Sequence, residues 1–305
     1  MKPKPKRRSR FRSDNFRRST EATRHYSALT GQITGSKRAL KIGKASAAEV
    51  RSIRLRWGVI QRSLVRQTLL VILAAWPVTT ALAGVRHFTF LYEAPTSPPG
   101  SVELENTITW AHGSNWNDLF IREELEIGIT DRFQLGIYPL DWSHQSEDGY
   151  RYNGAAIELI YNLSNPVVDP VGISLYEELS VARQHFESES KLIAQKNFGR
   201  WIFVYNATLE AAWEEQHLRE QEGELQQALG ASYEISPRVS VGLEFLHEFV
   251  FPEWQDDENI RNVFVGPNVC YRRGNWFLST SFLAQATDTS DEPDFQWRTI
   301  FGIGF

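Results

Sequence analysis

The chain has 305 residues, and its net charge of −4 averages two opposite halves. Residues 1–83 carry 19 Lys and Arg against 3 Asp and Glu, which leaves 14 basic and 34 acidic residues in 84–305, a net of −20. So acidic a body excludes nucleic acid as a partner, because its phosphates would be repelled. The single cysteine, Cys270, excludes an internal disulfide and reads as structural.

Residues 1–53 are rich in Arg, Lys and Ser with little hydrophobic periodicity, the composition of a disordered basic extension. Residues 54–83 form an export signal. Arg54, Arg56, Arg62 and Arg66 are the positive flank, Leu69 to Trp76 (LLVILAAW) is the apolar core, and Pro77 ends it. Ala81-Leu82-Ala83 is then a cleavage site before Gly84. The apolar run is shorter than the roughly 20 residues a spanning helix needs. A signal placed behind fifty-odd residues is unusual, and Met1 is the only methionine. Translation from a non-AUG codon near Val59 or Leu64 accounts for this; a long basic leader is the alternative.

Residues 84–100 read as a periplasmic segment ahead of the barrel. From residue 101 the chain falls into twelve extended stretches of about ten residues, the length a tilted membrane strand requires: 101–110, 118–128, 133–141, 151–163, 171–182, 189–198, 201–212, 223–233, 239–249, 260–271, 275–286 and 294–305. The charged stretch 213–227 also suits a helix. Tight turns rich in Gly, Asp, Asn and Pro follow every second stretch, at 130–132, 197–200, 235–238 and 272–275, with a slightly longer one at 164–170. Longer polar links lie between them. Short and long connections in alternation predict an all-β, transmembrane, antiparallel up-and-down barrel of about twelve strands over 101–305. A soluble β-sandwich shows the same two-residue alternation. The membrane reading is favoured by tryptophans near strand ends (Trp110, Trp142, Trp201, Trp213, Trp254, Trp276, Trp297), where interface girdles belong.

If the apolar set of each strand faces lipid, the polar set lines the lumen. Val102, Leu104, Ile108 and Trp110 then point out, and Glu103, Glu105, Thr107 and Thr109 point in. In the second strand Phe120, Arg122, Glu124 and Glu126 point in, while Glu123 interrupts the outer face and predicts a bulge. The same logic puts Glu158, Glu178, Glu210, Glu224, Glu244, Glu248, Arg272 and Arg298 inside. A charge facing lipid at mid-depth costs about 2–4 kcal/mol for Arg or Lys, so this many charges on one face imply a wet interior. The candidate function is passage of small solutes through an acidic lumen that attracts cations. The alternative is a non-conducting barrel whose interior is an ion-pair network, with Arg122 and Arg298 pairing Glu126, Glu103 or their neighbours.

His112, His144, His185, His217 and His247 fall at or near outer strand ends beside carboxylates, a weak metal signal without tight spacing. Catalysis would have to use His247, or His144 with Ser143 and Ser146. No G-x-S-x-G, H-E-x-x-H, P-loop or dinucleotide glycine pattern occurs. An enzyme is therefore the last alternative, and no cofactor is expected.

The last stretch, DFQWRTIFGIGF, puts Phe295, Trp297, Thr299, Phe301, Ile303 and Phe305 on one side. Its terminal Phe305 resembles the assembly signal of bacterial outer-membrane barrels. The opening FLYEAP (90–95), SPPGSVELE (97–105) and the unit GITDRFQLGI (128–137) resemble the MetA-pathway (phenol degradation) transporter-like barrels, as does YEISPR (233–238). The resemblance implies an outer-membrane protein with a transport role and no assigned solute. Its expected partners are outer-membrane lipid, lipopolysaccharide and the barrel assembly machinery.

Overall fold

The computed structural model describes residue 84 and residues 86–146, 149–214, 220–252, 254, 260–289 and 292–305. The expected basic extension, the export signal with Ala83, and His217 lie outside the described residues.

Twelve strands run in chain order: β1 (Val102–Gly113), β2 (Trp116–Thr130), β3 (Phe133–Gln145), β4 (Gly149–Ser164), β5 (Gly172–Ala182), β6 (His185–Phe198), β7 (Trp201–Glu214), β8 (Glu220–Ser236), β9 (Val239–Pro252), β10 (Ile260–Arg273), β11 (Trp276–Gln285) and β12 (Phe295–Gly304). Each pairs antiparallel with its neighbours in sequence, and β1 closes on β12 from Glu103↔Gly304 to His112↔Phe295. Closure leaves no unpaired edge, as hydrocarbon requires. Phe305 extends the seam by donating its N–H to the carbonyl of Val102 at 2.8 Å.

Alternation sets the two faces. Leu104, Ile108, Ile157, Leu175, Leu209, Leu229 and Phe301 are exposed on the outer wall. An apolar belt this wide in water would associate; against acyl chains it is satisfied. Aromatic pairs mark both rims. Trp110 meets Phe295, Trp142 meets Tyr152 and Phe186 meets Trp213 at one rim, while Trp201 meets Tyr233 and Tyr271 meets Trp276 at the other. The second rim carries the tight turns and both ends of the barrel strands; we call it the turn end and the opposite rim the loop end.

Two details differ from the sequence reading. The links expected as long loops are partly strand: β1 and β2 continue to Gly113 and Trp116, and β7 and β8 to Glu214 and Glu220, so the charged stretch after Trp213 is not helical among its described residues. Backbone pairing simply continues beyond the apolar band, where polar side chains are solvated. The bulge expected at Glu123 sits across from it. The ladder passes from Glu123↔Leu140 to Leu125↔Ile137, so the extra residue is on β3, beside Pro139, which has no N–H to give.

Candidate functional site in the lumen

The described residues from Gly84 to Ser97, expected outside the barrel, run along its inner wall. The register of their contacts makes a circuit of the inner wall in the half nearer the turn end. Gly84 donates its N–H to Glu103 of β1 at 2.6 Å. Arg86 pairs with Glu105 at 3.1 Å and Glu124 at 3.6 Å. Thr89 and Phe90 donate their N–H groups to the Glu244 carboxylate of β9 at 3.0 and 2.8 Å. Tyr92 N–H reaches Asn206 of β7 at 2.7 Å, and Ala94 N–H reaches Gln195 of β6 at 2.8 Å. Asn162 of β4 donates to the carbonyl of Ala94. Ser97 then bonds Gln134 of β3 and Glu126 of β2. Gly100, at φ +79°, turns the chain into β1 and bonds Gly128. Buried backbone donors need partners, and here inward-facing carboxylates and amides serve the segment, which forms no strand of its own.

The apolar half of this strap explains an unexpected wall. Ile202 and Val204 of β7, Ala228 of β8, Leu246 of β9, Phe264 of β10 and Leu283 of β11 point inward and are buried with Phe88 and Leu91. The rule that every apolar set faces lipid fails at these positions, because the strap supplies a second apolar surface inside. The sequence does hold a signal: Ile202 and Val204 alternate with Trp201, Phe203 and Tyr205, so β7 is apolar on both faces.

Polar residues of the wall form a line. Reading directly opposite partners across the sheet gives Glu103↔Glu126, Glu126↔Gly136, Gly136↔Glu158, Glu158↔Glu178, Glu178↔Glu189, Glu189↔Glu210 and Glu210↔Glu224. Seven glutamates thus follow one another over eight strands, interrupted only by Gly136. Barrel strands tilt by about 35–45°, so a row perpendicular to them climbs the axis. Glu103 is the second residue of β1 at the turn end; Glu224 is the fifth residue of β8, near the loop end.

Like charges directly opposite repel, and specific partners offset this. Arg122 pairs with Glu178 and lies 3.3 Å from Asp141. Lys191 reaches Glu189 at 2.8 Å, its ammonium over the rings of Tyr92 and Tyr176. Tyr138 and Tyr92 donate to Glu158 at 2.6 and 3.0 Å, and Tyr176 donates to Glu178 at 2.7 Å. Glu124 and Glu158 each turn a buried, unpartnered Oε1 toward Gly136, where any side chain would meet them.

The family model described as a family of unknown function, DUF6662, matches residues 80–296. The chain belongs to this family. Among solved structures, the DUF6662 chain is similar to the COG4313 outer membrane channel from Pseudomonas putida F1, with 11% identity and a TM-score of 0.52 over 72% of this chain and 100% of that one. It also matches the NanC porin, with 8% identity and a TM-score of 0.49 over 66% and 98%. The Pseudomonas likeness, at such low identity, is one of fold: the closed antiparallel barrel of outer-membrane proteins. No curated protein matches the chain.

Of the lumen candidates, Glu103, Glu105, Glu124, Glu126, Glu158, Glu178 and Glu244 are buried on the inner wall of this DUF6662 barrel. Glu210 lies in the same line, and Arg122 and Arg298 also point inward. Their ion pairs differ from those expected. Arg298 stands on β12 opposite Thr109, to which it donates at 2.8 Å, and caps the ring of Phe90; Glu103 lies too far along β1. Arg122 pairs with Glu178 and Asp141 rather than its strand-mate Glu126, which the strap's Ser97 occupies. Glu123 and Glu177, by contrast, lie on the outer faces of β2 and β5, where Glu177 accepts from Ser188 and Ser190. Ser143 points inward and His144 packs against Tyr150 on the opposite face of β3, so the two form no dyad. His247 packs its ring on Phe249. His112 bonds Asn117 and His185 lies beside Glu187, a scattered set. The strap is not visible in the sequence because residues 84–100 carry no regular period.

Proposed function

We propose that this protein is a narrow channel of the bacterial outer membrane, with its turn end toward the periplasm, that passes small cationic solutes. The observation that carries this reading is the line of glutamates climbing from one rim to the other. Carboxylates on successive strands, about 4.8 Å apart except across Gly136, give a cation a series of shallow sites rather than one deep one. Conduction needs that compromise between entering and leaving. The fold shared with the Pseudomonas putida channel and the motif resemblance to MetA-pathway barrels support a transport role. The resemblance of Phe305 to a barrel assembly signal supports the location.

The test is the reversal potential of the purified barrel in planar bilayers across a salt gradient. Cation preference is expected; an anion-selective or unselective pore would overturn the reading. A second reading is favoured by the strap, whose circuit narrows the half nearer the turn end and ties Arg86 to Glu105 and Glu124. This is a non-conducting, structural barrel, and a folded protein that carries no current would establish it.

A further inference from the structure

We infer that the carboxylate of Glu103 is the seat of the mature chain's α-ammonium group, carried by Gly84. The inference rests on the outer-membrane location under Proposed function and on the export signal read from the sequence. It joins two observations made independently. The sequence places a peptidase site between Ala83 and Gly84. The structure places the nitrogen of that same Gly84 2.6 Å from Oε2 of Glu103, at the turn end of the lumen.

The charges around the contact ask for a further cation. Glu103 faces Glu126, and Glu105 faces Glu124, in successive inward-facing rungs of the β1–β2 ladder. All four carboxylates are buried. Arg86 pairs with Glu105 and Glu124, and among the described residues no basic side chain forms an ion pair with Glu103 or Glu126. Two buried carboxylates facing each other without a cation are costly. Hydrolysis of the leader supplies one. Water adds to the carbonyl carbon of Ala83, and the C–N bond to Gly84 breaks. Ala83 leaves with the leader as a carboxylate, while the Gly84 nitrogen keeps the bonding electron pair and takes up protons to become an ammonium. The N–H···O⁻ contact thereby becomes an N⁺–H···O⁻ ion pair, with Coulomb attraction added to the hydrogen bond. The strap's tie at its first residue is therefore stronger in the processed chain.

Two measurements on protein isolated from outer membranes test this. Intact mass should show a chain beginning at Gly84. Acylation of its α-amine near neutral pH should be about tenfold slower in the folded barrel than in the unfolded chain, because pairing keeps the amine protonated by about one further pH unit. Glu103→Gln, which keeps shape and removes charge, should recover most of the fast rate. That separates pairing from mere enclosure. A different first residue, equal labelling of folded and unfolded protein, or an unchanged rate in Glu103→Gln would each overturn the inference. If the variant does not fold, the wild-type ratio decides. A chain absent from the outer membrane would overturn the export reading and this inference with it.

Discussion

The ring of Phe88 lies against Gly230, in the space any side chain at that position would fill. Phe88 is fully buried on a pad of inward-facing aliphatic residues, so it is the main apolar anchor of the strap. Phe88→Ala should cost the docked strap about 3–5 kcal/mol. Gly230→Leu should expel the ring without touching the outer wall. Both variants are expected to raise single-channel conductance and expose the strap to protease. Conductance equal to that of the wild type, with the strap cleaved, would show that the strap does not set the pore.

Cation preference should depend on the loop-end part of the glutamate line, which the strap does not reach. Glu210 and Glu224 stand opposite each other on β7 and β8. Replacing both with Gln removes two charges while leaving the ladder intact. The reversal potential is expected to move toward that of an unselective pore, with conductance in dilute salt falling most because screening is weakest there. An unchanged potential would detach selectivity from this line.

The barrel was legible because each strand carries its own evidence. Leu104 and Ile108 against Glu103 and Glu105 state both the period and the two solvents, and the turn at Thr130-Asp131-Arg132 states the reversal. The strap was not legible, because residues 84–100 have no face of their own. Their polar groups find partners on nearly every strand of the wall, which only closure of the sheet brings together. The same closure decides ion pairing. Arg122 and Glu178 are 56 residues apart and on strands that are not neighbours. Proximity in sequence and along the sheet points instead to Glu126, on the same strand, or its neighbours.

Arg122 therefore tests how far the wall depends on its ion pairs. It is partly buried, lies over the Tyr138 ring at 3.8 Å, and answers Glu178 and Asp141. Removing one partner of a buried pair leaves the other charge uncompensated, at about 3 kcal/mol. Arg122→Gln should lower the unfolding free energy in a micelle or vesicle by about that amount. The double variant Arg122→Gln with Glu178→Gln should recover part of it, since the stranded carboxylate is then gone. Additive losses would mean that the two residues act separately.

The strap should also respond to pH through His87, at the mouth of the turn end. Its Nδ1 lies 2.9 Å from Glu93, which also accepts the His87 N–H at 2.8 Å, and its Nε2 lies 3.8 Å from Glu234. Burial alone would drive the proton off; Glu93 and then Glu234 outweigh burial and the opposing charge of Arg272, so the imidazole is held above its ordinary pKa. A pKa raised on docking favours the docked state. That contribution is complete below about pH 6.5, the unfolded value, and is lost as pH climbs through the raised one. Protease nicking of the strap should consequently be slower near about pH 5 than near about pH 9. Glu93→Gln should flatten the dependence by removing the larger of the two charges that hold the proton. A profile that keeps its slope in Glu93→Gln would assign the pH response to another group.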